Sequence, residues 1–317
     1  MINDVTILYD ASNLRYSHKL LWISENAFDN ILENGGVGLV SDSQRTVSVN
    51  GAELFYSTRG NGPACLVLSA IGTEPYKHLT PPRLSDRLRL VYVDLRGGGR
   101  STGEASDLTF DVLAADLEAI RVDLGVDRIA VLGHSILGVL AIEYGRRCPA
   151  TVSHVVVVGT PPTGDMALLS AKSASFFEKD ASDERKQLLR ENLAALPESA
   201  SMGETMLAQA PMRFYDARFD AAPLFADSDV KPALLRHIMG KLTPAWSISV
   251  RSNSLRVPVF VAHGRYDYTV PYVLWDGIAE ALPNATLQLF EQSGHQPFFE
   301  EPDRFAETLA KWMDSQG

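Results

Sequence analysis

The chain has 317 residues, enough for one large α/β domain or two ordinary ones, and its 45% hydrophobic and 21% charged residues allow a globular core of useful size. A net charge of −10 argues against nucleic acid or an anionic membrane surface as partner. Two cysteines, Cys65 and Cys148, are too few for a disulfide framework and fit a reducing, cytoplasmic setting. The N-terminus lacks the basic and apolar stretches of a signal peptide, and no uninterrupted apolar run approaches the roughly 18 residues of a membrane helix.

Residues 1–45 mix Leu20, Leu21, Trp22 and Phe28 with polar residues, and Asn34-Gly-Gly36 disfavours a continuous helix. They read as a loosely ordered N-terminal extension, with a disordered lead, a helix packed on the outside or the arm of a homodimer as alternatives, and the Leu20–Ile23 run is apolar enough to dock. Thr46–Ser57 alternates apolar and polar residues around Asn50-Gly51, which predicts a hairpin. Ala64–Leu68 and Leu88–Val93 are continuous apolar runs, suited to strands buried on both faces. A helix over Phe110–Leu124, a strand over 128–132, a helix over 136–147 and a strand over His154–Val158 follow. This alternation predicts an α/β fold with a mostly parallel central sheet and helices on both faces. From Pro161 to Trp246 the strand pattern stops, and helices are predicted over 165–178, 183–196, 203–210 and 231–241. Strands return at Val257–Ala262 and Ala285–Phe290, with helices over Tyr272–Leu282 and Pro302–Met313. Interruption and resumption make 161–246 an inserted helical cap on a core of 46–160 and 247–317.

In open α/β sheets functional groups collect beyond the C-terminal ends of strands. Ser135 falls there, between a predicted strand and a predicted helix, with Gly133 two residues before it. That is the shape of a nucleophile elbow, G-x-S-x-G, whose tight turn lifts the hydroxyl and brings the next N–H near a developing oxyanion. The second glycine position holds Leu137, with Gly138 one residue later. Asp267, in His263–Asp267, and His295, in Glu291–His295, follow two further strands. Serine is a poor nucleophile at neutral pH until an imidazole takes its proton, and an acid must hold that imidazole in the right tautomer. Alone, His295 would read as an ordinary histidine and Asp267 as a turn residue; Asp165 is an alternative acid. No histidine spacing suggests a metal site, and Gly97–Gly99 lacks the Gly-Lys-Ser/Thr of a phosphate loop. Neither metal nor organic cofactor is predicted.

Residues 46–314 resemble the α/β-hydrolase superfamily. The carriers are Asp94-Leu-Arg-Gly-Gly-Gly-Arg-Ser101, similar to its D-x-R-G-x-G-x-S loop, His263-Gly-Arg-Tyr-Asp267, similar to its acid loop, and Ser293-Gly-His295, similar to its histidine loop. The resemblance implies Ser135 as nucleophile, Asp267 as acid and His295 as base, with the N–H groups of Ile71 and Ile136 as oxyanion hole. Leu68–Thr73 lacks the usual His-Gly pair and looks like the corresponding loop of 3-oxoadipate enol-lactonases. Leu137 departs from the small residue usual in relatives, so a working elbow with altered local packing is expected. Phe214 and Tyr215 of the cap, with His134, are the expected substrate contacts. The implied activity is cofactor-free hydrolysis of an ester, lactone or thioester of a small apolar molecule. Arg213–Asp216 also resembles the cap of proline iminopeptidase-like enzymes, which hold a substrate amine with carboxylates such as Glu204, Asp216 or Asp220. A non-hydrolytic lyase or receptor on the same fold is the third alternative.

Overall fold

The computed structural model describes residues 43–250, 254–278 and 282–316. The extension predicted over 1–45 lies outside the described residues as far as position 42.

Eight strands form one sheet in the order β1-β2-β4-β3-β5-β6-β7-β8. The hairpin is β1 (Ser43–Val49) and β2 (Ala52–Arg59), joined through Asn50 and Gly51, both at positive φ. Two such residues in succession make the turn that matches the twist of paired strands, which is why Asn-Gly stands there. The strands β3 (Ala64–Ser69), β4 (Arg89–Asp94), β5 (Ile129–His134), β6 (Val152–Val158), β7 (Val259–Gly264) and β8 (Ala285–Phe290) run parallel to one another. Every residue of β3, β5 and β7 is buried, as expected of strands covered on both faces. From β3 the chain steps outward to β4 and then returns to place β5 on the other side of β3. Strand order therefore reverses at the C-terminal ends of β3 and β5, where crevices open in doubly wound sheets.

The D-x-R-G-x-G-x-S loop is a structural clasp. Arg96 and Asp116, 3% and 4% exposed, pair through two hydrogen bonds of 2.9 and 2.5 Å. Arg96 also donates to the carbonyls of Val49 and Asn50, tying the hairpin turn to the helix Phe110–Asp123. Ser101 donates to the Asp94 carbonyl and accepts the Phe55 N–H. At Gly99 (φ 49°) a Cβ would lie 2.4 Å from the Asp94 carboxyl, so a side chain is excluded.

Between β6 and β7 the described chain is helical: Met166–Asp180, Asp183–Ala194, Met202–Ala208 and Pro232–His237 are its principal helices. Its two ends are pinched together by the bridge Thr163↔Ser247 and by the bond from the Gly164 N–H to the Trp246 carbonyl. One expectation fails. Tyr272–Leu282 is not a continuous helix: a single 3-10 turn, Tyr272–Trp275, ends at Asp276, and Gly277 takes φ 72°. Left-handed backbone at that glycine cannot continue a right-handed helix. Positions 279–281 lie outside the described residues.

Candidate active site

Ser135 follows β5 directly and has φ 54°, a conformation strained for a side chain other than glycine, asparagine or aspartate. Its N–H donates to the Val158 carbonyl at the end of β6 (2.8 Å). The helix Leu137–Arg147 begins two residues later, with Ile136 at its N-cap. Two glycines make this turn possible. A Cβ at Gly133 would sit 2.4 Å from the Leu137 carbonyl oxygen, and one at Gly138 would sit 2.0 Å from the Thr160 hydroxyl. The close approach usually served by the glycine two residues after the serine is met here by Gly138. Leu137 points its bulk into the core, 4% exposed, and the elbow keeps its left-handed serine.

Asp267 and His295 form a closed pair. The imidazole Nδ1–H donates to Asp267 Oδ2 at 2.7 Å, with the two side chains 0% and 1% exposed. Asp267 Oδ1 accepts the N–H groups of Thr269 and Val270, which fixes the carboxyl and, through it, the ring. With Nδ1 committed as donor, Nε2 is left as the basic nitrogen. The end of β6 touches both residues: the Val158 carbonyl holds the Ser135 N–H, and at the next residue, Gly159 (φ 54°), a Cβ would lie 2.8 Å from His295 Nδ1. The structure forms no hydrogen bond between the Ser135 hydroxyl and the imidazole. Such nucleophile–base bonds are often long until a substrate is bound.

The two oxyanion candidates differ. Ile136 is the helix N-cap and has no side-chain cap, so N–H groups without helical partners gather at the serine. The Ile71 N–H donates to Ser69 Oγ at 3.1 Å, while Ser69 Oγ donates to the Gly72 carbonyl at 2.6 Å. The buried Ser69 therefore sets the conformation of the loop that lacks His-Gly.

The three predicted substrate contacts are placed as follows. His134 is buried, with Nε2–H donating to the His295 carbonyl (3.1 Å) and its ring 4.7 Å from that of His295. Burial holds it well below the usual histidine range, so it packs as a neutral ring beside His295. Phe214 is buried against Phe219, their ring centroids 4.7 Å apart. Tyr215 is exposed and meets Tyr266 edge-on. Asp165, the alternative acid, caps the helix Met166–Asp180 by accepting from Ala167 and Leu168. The carboxylates an amine-binding cap would need are also engaged locally: Glu204 with Ser201, Asp216 with the Arg218 N–H and Asp220 with the Ala222 N–H.

Sequence reading missed what holds the histidine loop. Glu300 accepts the N–H groups on both sides of His295, from Gly294 (2.8 Å) and Gln296 (3.3 Å), and also that of Tyr215 in the helical insertion (2.6 Å). Glu301 accepts the Gln292 N–H and the Ser293 hydroxyl. Burial raises Glu300 to about 7 despite these donors. The Arg213 carbonyl in the insertion accepts the His295 N–H itself (2.6 Å). The available signal was Glu300-Glu301 a few residues beyond the histidine, but their targets are backbone groups, which no residue type announces.

His263, at the end of β7, is buried and held at about 4, chiefly by desolvation. Among the described residues no cluster of histidine, cysteine or carboxylate side chains is arranged to hold a metal, and no helix is long and apolar enough to cross a membrane.

A family model described as alpha/beta hydrolase fold matches residues 68–302. The AB hydrolase superfamily protein YclE of Bacillus subtilis is 31% identical, over 84% of this chain and 96% of its own length. A pimeloyl-[acyl-carrier protein] methyl ester esterase of Nitrosomonas europaea is 28% identical over 80% of this chain and 97% of its own. Among solved structures, a proline iminopeptidase of Mycobacterium smegmatis superimposes with a TM-score of 0.68, at 20% identity, over 86% of this chain and 98% of that one. At that identity the likeness is one of fold.

Proposed function

This chain belongs to the α/β-hydrolase-fold family, and from that premise we propose that it is a serine hydrolase, needing no cofactor, that cleaves an ester, lactone or thioester of a small, largely apolar molecule. The observation that carries the reading is the buried Asp267–His295 pair set beside a left-handed Ser135 at the strand-order reversal. His295 Nε2 takes the Ser135 proton as Oγ attacks the acyl carbon, and the carbonyl π electrons move onto oxygen. The Ile136 N–H stabilises that oxyanion, and the Ile71 N–H joins it by turning from Ser69. Collapse expels the alcohol or thiol, which recovers the proton from His295, and leaves Ser135 acylated. Water then repeats the sequence with His295 as base and frees the acid.

A relative named as a methyl ester esterase supports the ester class. The local engagement of Glu204, Asp216 and Asp220 speaks against an amine-anchored amide substrate. The test is hydrolysis of short p-nitrophenyl esters by wild type and Ser135→Ala. The expected result is a loss of at least about 10³-fold in kcat. Full hydrolysis by the alanine variant would place the chemistry elsewhere.

A further inference from the structure

Arg213 stands where the helical insertion meets the base. Its carbonyl accepts the His295 N–H, and its backbone lies so close to Gly294 that a Cβ there would be 2.2 Å from the Arg213 oxygen. The turn that carries it is held from behind by Arg185, whose guanidinium donates to the carbonyls of Pro211, Phe214 and Tyr215. Arg213 is thus rigidly placed, yet its own charge is poorly matched. Among the described residues no carboxylate forms an ion pair with it; Nη2 reaches only the neutral Gln209 Oε1, at 3.4 Å, and Nε is shut away from solvent without an acceptor. The neighbouring acids are committed: Asp267 to His295, Thr269 and Val270, and Glu300 to three backbone N–H groups. Burial lowers the Arg213 guanidinium from its usual range while Asp267 pulls the other way, and the Arg213 charge in turn lowers His134. Arg213 therefore lies within electrostatic range of His134, the residue before Ser135, and of Asp267. A half-buried guanidinium whose Nε lacks an acceptor and which has no carboxylate in ion-pair contact gains when an anion arrives to complete it.

We propose that Arg213 is a specificity residue that binds a carboxylate on the substrate, so that the preferred ester carries an acidic group on its acyl part. The idea rests on the serine-hydrolase reading and refines its substrate class from purely apolar to an apolar chain with an anionic end. A planar guanidinium suits a carboxylate through two parallel bonds, and lysine reproduces only the charge.

The test compares monomethyl esters of straight-chain dicarboxylic acids of about four to eight carbons with methyl esters of length-matched monocarboxylic acids, followed by pH-stat. Wild type is expected to favour the acidic ester, at one or more lengths, by about 10-fold or more in kcat/KM. Arg213→Gln should bring that ratio close to one, and Arg213→Lys should keep part of it. The ratio is the readout because a general loss of activity cancels from it. No acidic preference in wild type at any length, or an unchanged ratio in Arg213→Gln, overturns the proposal while leaving the nucleophile intact. If no ester is turned over, the hydrolase reading fails. Calorimetric binding of the same monoesters to wild type then decides the role of Arg213: absent or Arg213-independent binding overturns it, and binding weakened about 10-fold in Arg213→Gln upholds it. Should the glutamine variant fail to fold, wild type and Arg213→Lys carry the same comparison.

Discussion

At the scale of single residues the candidate site depends on what holds His295. Asp267 does so through one oxygen on the imidazole and the other on two backbone N–H groups. Asp267→Asn keeps the volume but lets the ring take the other tautomer; kcat for ester hydrolysis should fall on the order of 10³–10⁴-fold with little change in KM. Glu300 acts one step further out, on the backbone either side of the histidine. Glu300→Gln can no longer accept from all three donors, and kcat should drop on the order of 10-fold as the ring loosens. The same substitution has a signature in stability. A carboxyl raised from its ordinary 4.5 to about 7 binds its proton more tightly in the folded chain, so its contribution is fully present below about pH 4.5 and is lost as pH rises through 7. Wild type should therefore lose on the order of 1–3 kcal/mol relative to Glu300→Gln between about pH 5 and pH 8, measured by denaturant unfolding. His263 has the opposite sign. Held at about 4 instead of 6.5, it contributes stability above about pH 6.5 that is lost as pH falls toward 4. Ser135, Asp267 and His295 were legible as a set because each follows a strand run. Glu300 and Arg213 were not, since the first works on backbone groups and the second is defined by the partner it lacks.

At the scale of elements the elbow and the Arg96 clasp carry the site. The turn at Ser135 is permitted by Gly133 and by Gly138 against Thr160, so Leu137 is free to be a core side chain. Reading Leu137 as a departure was correct by spacing, yet spacing alone could not show which glycine faces Thr160. Leu137→Ala should cost about 2–4 kcal/mol in denaturant unfolding while retaining fluorophosphonate reactivity, because it leaves a cavity rather than altering the turn. Gly138→Ala should remove that reactivity, since the added methyl meets Thr160 atoms that cannot rotate away. The Asp94–Ser101 loop is legible from its motif alone. Its physical content is the buried Arg96–Asp116 pair, and Arg96→Met should destabilise by about 3–5 kcal/mol through the carboxyl left unpaired.

At the scale of the whole molecule the parallel sheet and the inserted helices were readable because strands buried on both faces are continuously apolar and helices repeat every three to four residues. The Tyr272 segment escaped that logic: its apolar spacing fits a helix, but Gly277 ends the turn after four residues. The insertion adds what no pattern of hydrophobicity contains, its backbone contacts with the C-terminal edge of the sheet through Arg213 to His295, Asp229 to Ile71 and Met212 to Tyr268. These bonds place groups from a distant stretch of sequence onto three of the loops at the strand ends. The central claim is that Ser135 becomes covalently acylated, and the most direct measurement is mass spectrometry of the chain after reaction with a fluorophosphonate. One adduct per chain is expected, mapped to Ser135, absent in Ser135→Ala and formed far more slowly in His295→Ala. An adduct on another residue, or none while ester hydrolysis proceeds, would contradict it.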